Sequence, residues 1–415
     1  MKKNGFTLVE LLSIVVILGI IVVVALPQIS GSIGSKKEKQ YNKIVKIVEN
    51  AGKVYLTENV TRDSVSIDKL IKSDYLTSGL KNPINNTPLT GCVKKITSDG
   101  VTKYKYEVDN CPNYLTTYIM DLYDNEETSI ENGLKKDNTP DQNIRYYGSN
   151  PNNYVSFNNE LWRIIGVFGN NVKLVRSEKL GDLSWDSSEE SINAGGGVNE
   201  WSQADLQVYL NKMYYGGTSV TCYNGENNTT TTCPTGTIDE TSKSLIDYHT
   251  WNTGSPNYNT LYNSTTKSFD TIEFYKAERG SVNGKTCSSG TYCNDTVTRT
   301  TEWPGYIGLP YVTDWAYASG EDDCNTKIDV SSTYKCKNNN WMHYGSTNND
   351  TTWVMSPFAL PVNANVVWHV RGGGRTGNVG AARPLSAFPT IYLKSNVLID
   401  SGNGTSSDPY ILSGN

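Results

Sequence analysis

From Leu11 to Leu26 the chain is apolar without a charge, its only hydroxyl Ser13 and its only glycine Gly19. A short basic leader precedes it, Met1-Lys2-Lys3-Asn4-Gly5, followed by Phe6-Thr7-Leu8-Val9 and a lone carboxylate, Glu10; Pro27 ends the run. At ~1.5 Å rise per residue, a helix counted from Phe6 approaches the ~30 Å of a bilayer core. Such a stretch must lie in lipid or against other apolar helices. A secretory signal peptide needs a small-residue cleavage site after the apolar region, whereas Gly5 stands before it. A plain membrane anchor leaves Glu10 without a reason, because a carboxylate near a helix centre costs roughly 2.5–3.5 kcal/mol even on gentle insertion scales. Here it stands near one end, within partial reach of the interface.

Lys2-Lys3-Asn4-Gly5 followed by Phe6-Thr7-Leu8-Val9-Glu10 resembles the processing signal of type IV pilins and of the pseudopilins of type II secretion and competence systems. The resemblance implies a prepilin peptidase that cuts after Gly5 and methylates the new amine of Phe6. It implies that Glu10, the fifth mature residue, acts in assembly, and that Gly19 and Pro27 are the helix glycine and the helix-bending proline. Its partners would be other pilin subunits. The chain would wait in the bacterial cytoplasmic membrane as a single pass with its C-terminus outside, and then reach the cell surface. The physics suits this, because lipid tails and packed apolar helices are similar solvents. Glu10, neutralised by a neighbour's N-terminal amine, would set axial register as a buried polar residue does in a coiled coil. One feature departs from this picture: Lys36, Lys37 and Lys39 outnumber Lys2 and Lys3, so a positive-inside count does not place the C-terminus outside.

At 415 residues the chain has room for two or more domains. The net charge is −5 with 19% charged residues, and this acidic balance does not point to a nucleic-acid partner. Nine Trp and 27 Tyr supply material for cores and argue against disorder. The eight cysteines fall into sequential pairs with short gaps: Cys92/Cys111, Cys222/Cys233, Cys287/Cys293 and Cys324/Cys336. Nearest-neighbour bridging is expected among the 105 possible connectivities, with free structural thiols as the alternative. Zinc is disfavoured, since there is no paired CxxC and only His249, His343 and His369.

The chain is expected to be α+β: a leader over 1–5, a long N-terminal helix over 6–57, a small antiparallel sheet domain over 58–120, a polar linker over 121–143 and a larger C-terminal domain over 144–415. Ile44, Ile47, Val48, Ala51, Val54 and Tyr55 recur at helical spacing. Ile67–Leu76 predicts a short helix. Gly91-Cys92-Val93 and Tyr104–Val108 predict strands joined through Ser98-Asp99-Gly100. Beyond the linker, Tyr154–Phe157, Leu161–Phe168 and Val172–Arg176 predict a β-meander with turns at Asn158-Asn159-Glu160 and Gly169-Asn170-Asn171. Ser202 is expected to cap a helix whose apolar face is Leu206, Tyr209, Leu210 and Met213. Residues 215–300 read as long surface loops pinned by disulfides, with a helix near Thr271–Arg279. A short helix over Thr313–Tyr317 follows, then strands at Thr352–Met355, Val366–Val370 and Thr390–Leu393, with Gly372–Gly374 and Gly377 at tight turns.

The segments Asn159–Gly166, Trp353-Val354-Met355-Ser356-Pro357, Ala382-Arg383-Pro384 and Ser407–Leu412 resemble a module of Gram-positive surface proteins with a C-type-lectin-like architecture. These are core and turn residues and say little about ligand. No GxSxG elbow accompanies the three histidines, the Gly372–Arg375 segment lacks phosphate-loop context, and Glu321-Asp322-Asp323 lacks EF-hand spacing. No catalysis, cofactor or metal is therefore expected. Trp251, Trp303, Trp315 and Trp341 are the ligand-binding candidates, because tryptophan on loops can stack on a glycan or a protein ligand. The expectation is a minor or tip subunit of pilin type that displays a C-terminal binding domain. The alternative is a surface-anchored binding module or enzyme using the signal for export alone.

Overall fold

The structure is a computed structural model. It describes residues 33–60, 62–109, 111–188, 197–254, 262–264, 268–282, 285–286, 301–329, 335–343, 351–358, 365–372 and 374–414. The chain divides into two compact units, Met1–Asn113 and Tyr114–Asn415. It is a mixed α+β protein, mostly sheet with few helices.

In the first unit, helix α1 (Ile33–Glu58) lies on an antiparallel sheet of β1 (Ser64–Ser66), β2 (Cys92–Ser98) and β3 (Val101–Glu107). The expected stripe is the buried face: Ile44, Val48, Ala51 and Tyr55 pack with Val65, Leu70, Val93 and Tyr106. Gly52 permits the close approach of helix and sheet, since a Cβ there would stand 2.4 Å from the Val93 Cβ. Asp99 and Gly100 both adopt positive φ, 51° and 74°, as a two-residue hairpin turn requires. Helix α2 (Ile67–Lys72) starts at Ser66, whose side chain accepts from the Lys69 N–H. The expected helix over residues 6–32 lies outside the described residues.

The expected linker over 121–143 is folded structure, and the expected end of the small domain at residue 120 moves to residue 113. Helix α3 (Leu115–Asp124) buries Leu115, Ile119 and Met120 in the core of the second unit. Helix α4 (Glu126–Asn132) is capped by Asn125 and ends at Gly133 in the left-handed conformation. Strands β4 (Leu134–Lys136) and β5 (Ile144–Tyr146) then join the main sheet. The segment reads as a linker because many of its buried groups are polar: Asp137, Thr139 and Asn143 are each at most 5% exposed.

The expected meander is present as β6 (Tyr154–Phe157), β7 (Glu160–Phe168) and β8 (Asn171–Arg176), paired antiparallel in sequence. Asn158 and Asn159 turn the first hairpin at φ 57° and 55°. β7 also pairs with β5, which crosses so closely that a Cβ on Gly166 would stand 2.2 Å from the Ile144 carbonyl oxygen. The nine-stranded sheet is completed by Ile307–Gly308, Thr390–Tyr392, Leu398–Ser401 and Tyr410–Ser413. The chain end thus returns to lie parallel to β6, Tyr410 opposite Val155. A five-stranded sheet holds Gly181–Ser184, Thr351–Pro357, Val366–Arg371, Arg375–Gly380 and Pro384–Ala387. The helices expected near Thr271 and Thr313 are present at Thr271–Glu278 and Val312–Tyr317.

Two local expectations fail. Ser202 lies inside a 3-10 turn, Trp201–Gln203, and is held by Glu200; the α-helix Asp205–Val208 begins after Ala204, and a π-helical segment Tyr209–Tyr215 continues it. Gly377 is no turn but a strand residue opposite His369, whose ring stands where a side chain would go: a Cβ on Gly377 would meet Nε2 at 2.9 Å.

Three of the four expected disulfides are described: Cys92–Cys111, Cys222–Cys233 and Cys324–Cys336. Cys287 and Cys293 lie outside the described residues.

Candidate assembly helix and display surface

The processing and assembly positions Gly5, Phe6, Glu10, Gly19 and Pro27 all lie outside the described residues. What is described is the helix that follows them in the chain. Among the described residues no helix is long and apolar enough to cross a membrane. Helix α1 is two-sided: one face is covered by β1–β3, while Lys36, Lys39, Lys43, Lys46 and Lys53 are exposed.

Three of the four tryptophans singled out for ligand stacking are interior residues. Trp251 and Trp315 are at most 2% exposed and Trp341 is 5% exposed. The Trp251 indole N–H donates to the Gly305 carbonyl at 3.1 Å, and that of Trp341 to the Tyr146 carbonyl at 2.8 Å. The Arg163 guanidinium lies 4.5 Å from the Trp341 ring centre. Trp303 is half-buried, across the strand pair from Trp251 and edge-on to Trp201 at 6.0 Å. Trp251, Trp315 and Trp341 therefore fill the core, and Trp303 packs half-buried against it. Large amphipathic rings bury well once their single N–H finds a carbonyl, and sequence does not show which carbonyl is near.

A different set of rings reaches the surface. Tyr215 ends the π-helical segment, Tyr306 separates two short strands, and Tyr248 precedes the strand His249–Asn252. Tyr215 and Tyr306 stack at 4.0 Å with planes 13° apart, and Tyr248 meets Tyr306 at 4.9 Å while remaining 59% exposed. The Lys243 ammonium stands 5.6 Å from the Tyr215 ring. His249 lies beside this group, its Nδ1 3.1 Å from Asp247 Oδ2 and its ring stacked on Tyr392 at 3.8 Å. Burial lowers its pKa against the pull of Asp247. The sequence signal for this cluster was weak: the pair Tyr214-Tyr215 points one ring inward and one outward before Gly216-Gly217.

Beneath the sheets lies a cluster of buried charge. Asp314 accepts from Arg145 Nη1 at 2.8 Å and from the Lys173 ammonium, and Asp137 accepts from Arg145 Nε at 2.7 Å. All four side chains are at most 1% exposed. Burial works against the Asp314 charge, but Lys173 and Arg145 outweigh it and hold the carboxyl below its ordinary range. The Lys173 ammonium also lies 4.2 Å from the Tyr311 ring centre. The cluster ties β5, β8 and the helix Val312–Tyr317 together. Nearby Glu278 is fully buried and bonded to the Thr313 hydroxyl; burial pushes its pKa up to about 7, with Arg279 and Thr313 opposing. His369 is held neutral, its pKa lowered to about 3 by burial and then by Arg371 and Arg375. Among the described residues no three His, Cys, Asp or Glu side chains converge as a metal site.

Residues 1–26 match a family model described as a prokaryotic N-terminal methylation motif. No curated protein and no solved structure shows significant similarity to the chain. The N-terminus therefore carries a signal of the type IV pilin kind.

Proposed function

We propose that this chain is a minor pilin-type subunit, processed at Gly5, methylated at Phe6 and assembled through its N-terminal helix, which displays the unit over 114–415 outside the cell. The observation that carries this reading is the methylation motif over 1–26, followed after six intervening residues by the amphipathic helix α1. A minor or tip position follows from bulk: a unit running from Tyr114 to Asn415 on every subunit would crowd a thin fibre. The displayed unit is lectin-like in architecture, a reading supported by its nine- and five-stranded sheets and its disulfide-closed loops, and it acts by binding and not by catalysis. Its ligand surface is the Tyr215, Tyr248 and Tyr306 group, whose rings suit a glycan or a protein side chain.

Mass spectrometry of sheared surface filaments tests the first part. A methylated Phe6 terminus at low abundance against other pilins is the expected result. High abundance would refute the minor position. Recovery only from membranes, with Met1–Gly5 attached, would refute processing and favour a plain anchor. A Glu10→Ala variant separates the second reading, export of a binding module without assembly: a subunit loses incorporation into filaments, while an anchored module keeps its surface level.

A further inference from the structure

Five lysines of α1 are spaced three, four, three and seven residues apart: Lys36, Lys39, Lys43, Lys46 and Lys53. At 3.6 residues per turn this spacing puts them on one face, about 150° round the helix from the buried Ile44, Val48, Ala51 and Tyr55. All five are exposed. The stripe spans roughly 25 Å at ~1.5 Å per residue. Among the described residues, Lys39, Lys43, Lys46 and Lys53 form no ion pair with a carboxylate of the same helix. Glu49 turns to the sheet and accepts from the Tyr106 N–H at 3.3 Å, and Glu58 is bonded to the Tyr75 hydroxyl. Glu38 stands on the flank. Lys37, on the other side, donates to the Ile84 carbonyl at 3.4 Å. Like charges three and four residues apart destabilise a helix, so the pattern opposes local stability.

We infer that this stripe is the contact face for a different subunit that carries carboxylates at matching helical spacing, and that it prevents two copies of this chain from packing helix to helix. Charge complementarity chooses the occupant. A second copy would set the ammonium groups of Lys39, Lys43, Lys46 and Lys53 against their own like. A bilayer surface reaches only the end of the stripe near the apolar run, whereas the lysines continue to Lys53. An acidic helix matches the full length. Exposed ion pairs add little affinity one by one, but juxtaposed like charges discriminate strongly between partners. This deepens the minor-subunit reading and rests on it: a chain that cannot follow itself in a fibre enters only beside something else.

A charge-reversed copy serves as the acidic probe. Full-length wild type and a Lys39→Glu/Lys43→Glu/Lys46→Glu variant are reconstituted in phosphatidylcholine bilayers, singly and mixed, and treated with a zero-length carbodiimide that joins carboxylates to lysines. Inter-chain links mapped by mass spectrometry to α1 should rise on the order of tenfold in the mixture over either chain alone, and the excess should vanish at about 1 M salt, where screening reaches ~3 Å. Equal linking along α1 in wild type alone, or none in the mixture while both chains are bilayer-inserted, would overturn the proposal. If phosphatidylglycerol bilayers shield all five lysines from acylation and abolish the mixed links, lipid takes the face and the proposal falls. Extraction of the chain from bilayers by carbonate would instead refute the membrane-helix reading, and with it the basis of the stripe.

Discussion

The core of residues 33–113 is built of apolar side chains around one helix, whereas that of residues 114–414 encloses two carboxylates, a guanidinium and an ammonium among its rings. The first kind of core weakens in proportion to the apolar surface removed. The second depends on partners, because removing one ion leaves another dehydrated and unpaired. The small unit is therefore graded in its response to substitution and the large unit is abrupt.

The contrast is broken most severely at Asp314. Asp314→Ala leaves Arg145 and Lys173 without their shared carboxylate and should cost the large unit about 3–5 kcal/mol in urea unfolding. An effect like that of an ordinary surface change would show that water reaches the cluster. Replacing Cys92 and Cys111 together by serine, which removes a bridge spanning 19 residues and leaves those of the large unit intact, should cost the small unit about 3 kcal/mol on the loop-entropy estimate, read as a separate shift of its unfolding transition. A common shift of both transitions would contradict the division into two units.

The pH dependence sharpens the comparison further. The Glu278 pKa is raised in the folded chain to about 7 from an ordinary 4.5, so the native state holds a proton that the unfolded chain releases between those values. Its contribution is favourable below that window and is lost as pH rises through it, by about 2 kcal/mol between pH 5 and 7. The Glu278→Gln variant should lose this part of the slope in urea midpoints, and an unchanged slope would mean that Glu278 is ionised in the native state. Val48→Ala, in the small unit, should cost about 1.5 kcal/mol with no pH dependence of its own. Tyr248→Ala should change stability by less than about 0.5 kcal/mol, since the ring is largely exposed. A large loss there would make the surface rings a structural element.

What could be read from the sequence follows the range of the forces involved. The α1 stripe, the Ser98-Asp99-Gly100 turn and the Asn158-Asn159 hairpin depend on neighbours within a few residues, and the structure has them as expected. The segment 121–143 looks like a linker in sequence because its burial is secured at long range: Asp137 is paired with Arg145, which in turn reaches Asp314 far along the chain. The same holds for Trp251 and Trp341, whose indole N–H groups find carbonyls distant in sequence. Ser202 shows the local version of the failure: a good capping residue was present, but Glu200 had already engaged it. The N-terminal motif was legible because an enzyme reads it as linear sequence.

The three described bridges close loops of 19, 11 and 12 residues, each between cysteines that are neighbours in sequence. A chain emerging from a membrane in order meets each partner cysteine before any later one appears. Each of these three bridges can therefore be oxidised as its loop emerges, without slow thiol exchange to correct it. Export and oxidation can proceed together, and a cell surface with little isomerase can still mature this protein.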